Sequence, residues 1–176
     1  MQRNCFFLIL LLGTICGCGT PADLPPLAEF KITVTKGGAP AEGCFVLVHS
    51  DSLPSKYACY GKLVGGSLSL MTYETLSGRK YRGAPVGTIK IGIQRDLNYG
   101  LEDPRAASKG FTSREESDQY AQDRGKRMEE NVKYAPPSLT DPSRSPIEFE
   151  VVAGQKNELT IELDDPQWDV PVPPSL

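Results

Sequence analysis

A single histidine, His49, and a single tryptophan, Trp168, stand in a chain of 176 residues. One imidazole rules out a metal centre built on several histidines and leaves acid–base chemistry near neutral pH to one side chain. Aromatic residues make up only 8%, and neither charge dominates, Lys+Arg 19 against Asp+Glu 22 giving a formal charge of -3. Without a basic field nothing grips a phosphate backbone, so nucleic acid is excluded as a partner. No apolar run reaches the roughly 20 residues of a bilayer-crossing helix. The phosphate loop, the GxSxG elbow, zinc spacing and the dinucleotide fingerprint are all missing, which removes the common signatures of metals and cofactors. Seventeen glycines and fifteen prolines, by contrast, are plentiful and announce many turns.

The first residues read as an address. Arg3 precedes an uncharged stretch over residues 5–16, shorter than a membrane span and of the length of a secretory leader. Ile15-Cys16-Gly17-Cys18 follows and resembles the bacterial lipobox, in which the last Cys is joined to diacylglycerol before cleavage. That resemblance implies a leader over 1–17, lipidation at Cys18, and a lipid bilayer as partner through the acylated Cys. Gly19 follows, with no Asp to retain the protein at an inner membrane, so an outer membrane is favoured. Residues 18–28, with Pro21, Pro25 and Pro26, read as a Pro-rich tether.

With Cys5 and Cys16 in the leader and Cys18 carrying lipid, Cys44 and Cys59 remain. An exported compartment permits a disulfide between them, closing a loop worth about 3 kcal/mol. Two buried, unbonded thiols on neighbouring strands fit as well. Neither Cys has a neighbour in sequence that would make it a nucleophile.

Strand patterns dominate the mature chain. Phe30, Ile32 and Val34 alternate with polar residues, and residues 44–49 form a nearly continuous apolar run suited to a central strand. Residues 57–64 and 67–73 flank Gly65-Gly66 as an expected hairpin. Residues 74–82 are polar; Ile89, Ile91 and Ile93 then share one face. Residues 147–151 and 159–163 alternate strictly and are expected to pair as a second hairpin through Gly154, which makes about seven strands. Ser113, followed by Glu115 and Glu116, caps an expected helix over about 113–130 that is too polar to bury much. The run 134–142, with Pro136, Pro137 and Pro142, is expected to be neither helix nor central strand. The tail 165–176 is expected to be extended or disordered, Trp168 either packing back or held out to a partner.

The order of these pieces resembles the small bacterial lipoproteins built on a carboxypeptidase-regulatory or transthyretin-like β-sandwich. Gly38-Ala39-Pro40 with Gly43 matches the turn after the family's first strand. Gly83-Ala84-Pro85-Val86-Gly87, leading into residues 88–93, matches its entry to a central strand. Lys133-Tyr134, and later Asp141-Pro142-Ser143-Arg144-Ser145-Pro146, match its late segment. The resemblance implies a mainly β, seven-stranded Greek-key (prealbumin-like) sandwich over 29–164, with a helical insertion over 112–131. Where the family usually carries an acidic turn, this chain has Lys62-Leu63-Val64-Gly65-Gly66, so no cation is expected there.

Fold does not give function. His49 with Ser50 and Asp51 cannot form a triad, because adjacent strand residues point to opposite faces. The acidic pairs Glu102-Asp103, Glu115-Glu116, Glu129-Glu130 and Asp164-Asp165 lack calcium-loop spacing and read as solvated charge. Arg114, Arg124, Lys126 and Arg127 alternate with acids as a solvent face or a docking surface. The expectation is a non-catalytic binding or structural accessory module at the cell envelope, without metal or cofactor, serving an envelope protein or polysaccharide. The alternative is a carbohydrate-binding module, which needs exposed aromatics on one sheet face from among Tyr57, Tyr60, Tyr73, Tyr81 and Tyr99. An envelope enzyme is the weakest reading.

Overall fold

A computed structural model describes residues 21–100, 111 and 113–168. In chain order the strands are β1 (Leu27–Ala28), β2 (Phe30–Lys36), β3 (Ala39–Pro40), β4 (Cys44–His49), β5 (Tyr57–Lys62), β6 (Ser67–Ser69), β7 (Met71–Glu74), β8 (Lys80–Arg82), β9 (Ala84–Pro85), β10 (Gly87–Arg95), β11 (Glu148–Val151) and β12 (Asn157–Glu162). Two α-helices, α1 (Arg114–Val132) and α2 (Pro137–Thr140), lie between β10 and β11. The protein is therefore mainly β, as the alternation predicts.

One antiparallel sheet has six strands in the order β11-β10-β4-β5-β7-β8. A second sheet is built on β2, with β12 parallel to it on one side and β3 and β6 antiparallel on the other, and β1 and β9 form a two-stranded third. Phe30, Ile32 and Val34 of β2 and Ile161 of β12 join Val46, Ile89, Ile91, Ile93 and Val151 of the six-stranded sheet in one buried cluster. Each such side chain contributes about 1.5–3 kcal/mol by leaving water. The period-two pattern thus decides which face of each strand is dry.

The first expected hairpin holds in part and the second is corrected. Gly65 and Gly66, with φ of 57° and 74°, do make a tight turn, closed by a Val64–Ser67 bridge. Yet Ser67–Ser69 pairs with β2, while β5 pairs with β7, so the chain changes sheets at this turn. Likewise β11 pairs with β10 and β12 with β2, so residues 152–156 form an arch between sheets. The buried Asn157 side chain holds that arch: its Oδ1 accepts from the Val152 amide at 2.9 Å, and its Nδ2 donates to the carbonyls of Val152, Gln155 and Glu29. Alternation sets which side of a strand is buried but not which strand lies beside it.

Three further expectations change. The run 134–142 contains helix α2, because Pro137 stands in the first turn, where proline's missing N–H costs nothing. Pro142 then sits against Gly92 so closely that a Cβ there would lie 2.9 Å from its nitrogen, so this segment caps β10 from outside. The end of the tether is docked, since Leu24 is buried, β1 pairs with β9, and Asp23 meets Lys56 at 2.5 Å. The tail is ordered through Trp168, whose indole N–H donates to the Glu162 carbonyl at 2.8 Å; packing back is the arrangement that holds. The N-cap at Ser113 forms as expected, its Oγ accepting from the Glu116 amide at 3.1 Å. Helix α1 buries only Asn131, which donates to the Leu97 and Tyr99 carbonyls.

Asn157→Ala removes the arch bonds and strands buried backbone groups, so it should destabilise the fold by about 2–3 kcal/mol. Urea denaturation followed by circular dichroism measures this; a loss within error of zero would show that the arch does not depend on the side chain.

Candidate binding surface

The six-stranded sheet is covered unevenly. Its inner face meets β2 and β12, and α2 with Pro142 lies over β10 outside, but none of the described helices packs on the outer face of β4, β5, β7 and β8, which the tether borders along β8. Alternation assigns the side chains there. Cys44 and Val46 turn inward on β4, whereas Phe45, Leu47 and His49 turn outward. On β5, Tyr57 and Cys59 are buried and Tyr60 and Lys62 exposed. Thr72 of β7 is buried between the outward Met71 and Tyr73. Lys80 and Arg82 are the outward residues of β8.

Strand register builds these side chains into rows. Gly92, Leu47, Tyr60, Met71 and Arg82 stand opposite one another across five strands. Tyr73 is the diagonal neighbour of Tyr60, and their rings stack with centroids 4.5 Å apart and planes inclined by 19°. The Lys62 ammonium lies 5.6 Å from the Phe45 ring centroid, and that of Lys80 lies 5.8 Å from the Tyr73 centroid. Tyr60 is 36% exposed. The result is a flat aromatic and aliphatic patch with cations at its margins. No carboxylate stands among the outward residues of these four strands. Lys62 and Arg82 reach acids on other segments, Asp96 at 3.6 Å and Glu29 at 3.1 Å; the second pair is exposed and of the kind worth about 0–1 kcal/mol, whereas Asp96 is partly buried. Among the described residues no acid pairs with Lys80.

Of the five tyrosine candidates, the fold brings Tyr60 and Tyr73 together on one face. Tyr57 and Tyr81 meet edge to face on the inner side with centroids 6.2 Å apart, and the Tyr57 hydroxyl donates to Asp23 at 3.1 Å. Tyr99 belongs to a clamp at one end of the molecule: the Arg95 guanidinium lies 4.6 Å from its ring and 3.8 Å from that of Tyr134. Its hydroxyl donates to Glu42 at 2.7 Å, a bond that pushes the phenol pKa up because the neutral form makes it. Lys36 completes the clamp by donating to the Tyr134 carbonyl at 2.6 Å and pairing with Asp164 at 3.2 Å. Phe45, Leu47, Met71 and the cations were missed by reading aromatics alone. The signal for them was the parity opposite Cys44, Val46 and Cys59.

The remaining candidates do not converge. Cys18 and the Glu102-Asp103 pair lie outside the described residues. His49 is exposed and meets Asp51 at 3.2 Å, while Ser50 bonds Ser52, so no triad forms. Glu115, Glu116, Glu129 and Glu130 are exposed on α1. Among the described residues no group of three His, Cys, Asp or Glu is placed to hold a metal ion. Of the two readings of Cys44 and Cys59, the structure holds the unbonded one, both being free buried thiols. Cys59 stands opposite Val48, four residues along β4 from Cys44, which leaves a gap of about 13 Å that no disulfide spans. Burial pushes the Cys44 thiol up to about 11 and that of Cys59 to about 12.

Compared with protein-family models, with curated proteins and with solved structures, the chain matches none. The surface must therefore be read from its own chemistry.

Both thiols are held neutral in the fold, so iodoacetamide should leave Cys44 and Cys59 unmodified in native protein at pH 8 and alkylate both in urea, as peptide mass mapping would show. Because their native pKa values exceed the ordinary thiol value of 9.0, stability should be unaffected by them below that pH and fall as pH rises from 9 toward about 11–12. A linked Cys44–Cys59 peptide would contradict this arrangement.

Proposed function

We propose that this chain is a lipid-anchored, exported, non-catalytic binding module of the cell envelope, folded as a transthyretin-like Greek-key sandwich with the open face of β4, β5, β7 and β8 as its binding surface. The observation that carries the reading is the patch of Phe45, Leu47, Tyr60, Met71 and Tyr73, on which none of the described helices packs. Sheet faces that stay in water normally alternate to polar residues, and contiguous apolar surface of this kind marks an interaction site. The lipobox-like Cys18 supports an acylated N-terminus, which implies a bilayer partner and export, with an outer membrane favoured over an inner one. The docked tether fits such an anchor: Leu24 is buried six residues after Cys18, which holds the domain within about 20 Å of the lipid.

The alternative, a carbohydrate-binding module, is favoured by Tyr60 and Tyr73 specifically. Stacked rings on a flat sheet face offer apolar surface and hydroxyl groups together, which suits the C–H faces and hydroxyls of sugars. An enzymatic reading has no comparable support from this surface, which carries neither a paired acid and base nor an activated nucleophile.

Two measurements test the proposal. Cys18→Ala should move the protein from the membrane to the soluble fraction of its native cell, and unchanged membrane association would refute the anchor. Pull-down of the intact lipoprotein from its envelope should recover a partner that Tyr60→Ala/Tyr73→Ala loses while melting within a few degrees of the parent. Recovery unaffected by that double substitution would place binding on another surface.

A further inference from the structure

We infer that the ligand of this face is an acidic polysaccharide, a chain of sugar rings bearing carboxylates or sulfates that lies obliquely across β5, β7 and β8. The inference rests on the reading of the open face as the binding surface and names what binds there.

Charge is the first ground. The protein as a whole is acidic, with a formal charge of -3, yet the outward residues of β4, β5, β7 and β8 include Lys62, Lys80 and Arg82 and no carboxylate. A local field opposite in sign to the net charge selects anionic partners. The acids that reach Lys62 and Arg82 sit on flanking segments; the Arg82–Glu29 pair is exposed, so a ligand anion can replace it at little cost, and Lys62 is itself exposed although its partner Asp96 is partly buried.

Order is the second ground. Lys62 and Tyr60 are two residues apart on β5, Tyr73 is the diagonal neighbour of Tyr60 on β7, and Lys80 is the direct partner of Tyr73 on β8. Cation, ring, ring, cation therefore follow one another along a diagonal on the order of 20 Å long. A chain with apolar ring faces between charged groups has the complementary order. Arg82, beside Met71, gives a third anion contact at the edge.

Shape is the third ground. Grooves of about 440 Å³ beside Lys36 and Tyr134 and of about 280 Å³ beside Arg95 lie away from the face, while one of about 860 Å³ between the tether and Lys80–Arg82 and one of about 140 Å³ beside Glu29 and Arg82 border it along β8; none of the four is lined by Phe45, Leu47, Tyr60, Met71 or Tyr73. An open face without a pocket suits a polymer rather than a small molecule. It also disfavours a bilayer surface, because Tyr60, the most exposed apolar residue of the patch, is only 36% exposed and none protrudes to enter a headgroup layer. Extended peptides add to sheet edges, whereas the aromatic and aliphatic residues of this face stand on the interior strands β4, β5 and β7, and only its outer cations stand on the edge strand β8.

The test uses the full lipoprotein in phosphatidylcholine nanodiscs against five immobilised probes: polygalacturonate, its methyl ester, dextran sulfate, dextran, and vesicles containing phosphatidylglycerol. Polygalacturonate or dextran sulfate should bind at least about tenfold more tightly than its uncharged counterpart, with affinity falling as salt rises. Tyr60→Ala/Tyr73→Ala and Lys62→Glu/Lys80→Glu should each lower that affinity about tenfold, and Lys62→Arg/Lys80→Arg should retain it. Equal binding of charged and uncharged chains would overturn the acidic ligand while leaving the face intact. Acid-selective binding untouched by the tyrosine substitutions would overturn the face itself. Binding to the vesicles alone, or to none of the probes, would also overturn the inference.

Discussion

Everything described here depends on a sheet that is buried on one face and only partly covered on the other. The inward residues of β4, β5 and β10 share one dry cluster with Phe30, Ile32, Val34 and Ile161, and this cluster fixes the orientation of every strand that enters it. Once Cys59 points inward, Tyr60 must point outward; once Thr72 is buried, Met71 and Tyr73 cannot be. The outer patch is thus a geometric consequence of the core, and its residues are kept in register by the same backbone bonds that hold the core together. A one-residue slip of β5 would send Tyr60 into the core and a half-buried Ala58 with it.

The outer face is finished differently at its two sides. Toward β10, the chain spends helix α2 and Pro142 on covering Gly92, and Gln94 donates to the Thr140 carbonyl at 2.5 Å. At the β11 edge, Lys90 pairs with Glu148 at 3.4 Å and Thr88 with Glu150 at 2.8 Å, so charge there is internally matched. Toward β8 no described helix lies over the face; Arg82 pairs with Glu29 at 3.1 Å, and among the described residues no acid pairs with Lys80. The Arg95 clamp, with Tyr99, Tyr134, Lys36, Glu42 and Asp164, seals one end of the molecule through bonds among its own members. Its groups are engaged with one another, which is why it reads as a fastening between segments.

Much of this was legible in the sequence, and the failures have physical causes. Alternation at residues 30–34, 89–93 and 147–151 gave the strands and their buried sides, and Ser113 with its following acids gave the start of α1. Partner choice was not legible: Gly65-Gly66 has the chemistry of a hairpin turn and makes the turn, but Ser67–Ser69 goes to β2 because the core, and not the turn, decides which sheet it completes. The arch after β11 depends on one buried amide, Asn157, whose role is visible only once its four bonds are. For the surface, Tyr60 and Tyr73 could be named but not separated from Tyr57 and Tyr81 without the register. The run 44–49 suits a central strand, which β4 is, but a nearly continuous apolar run does not tell that Phe45 and Leu47 point outward and supply two of the five residues of the patch.

The most direct test of the account is where on the molecule a polyanionic sugar chain acts. An amide-resolved NMR titration of the isotopically labelled protein with short oligogalacturonates reports this residue by residue. The account predicts shifts concentrated on Phe45, Leu47, Tyr60, Lys62, Tyr73 and Lys80, with β2 and β12 unmoved. Shifts centred instead on the groove beside Lys36 and Tyr134, or spread evenly over the surface, would contradict it.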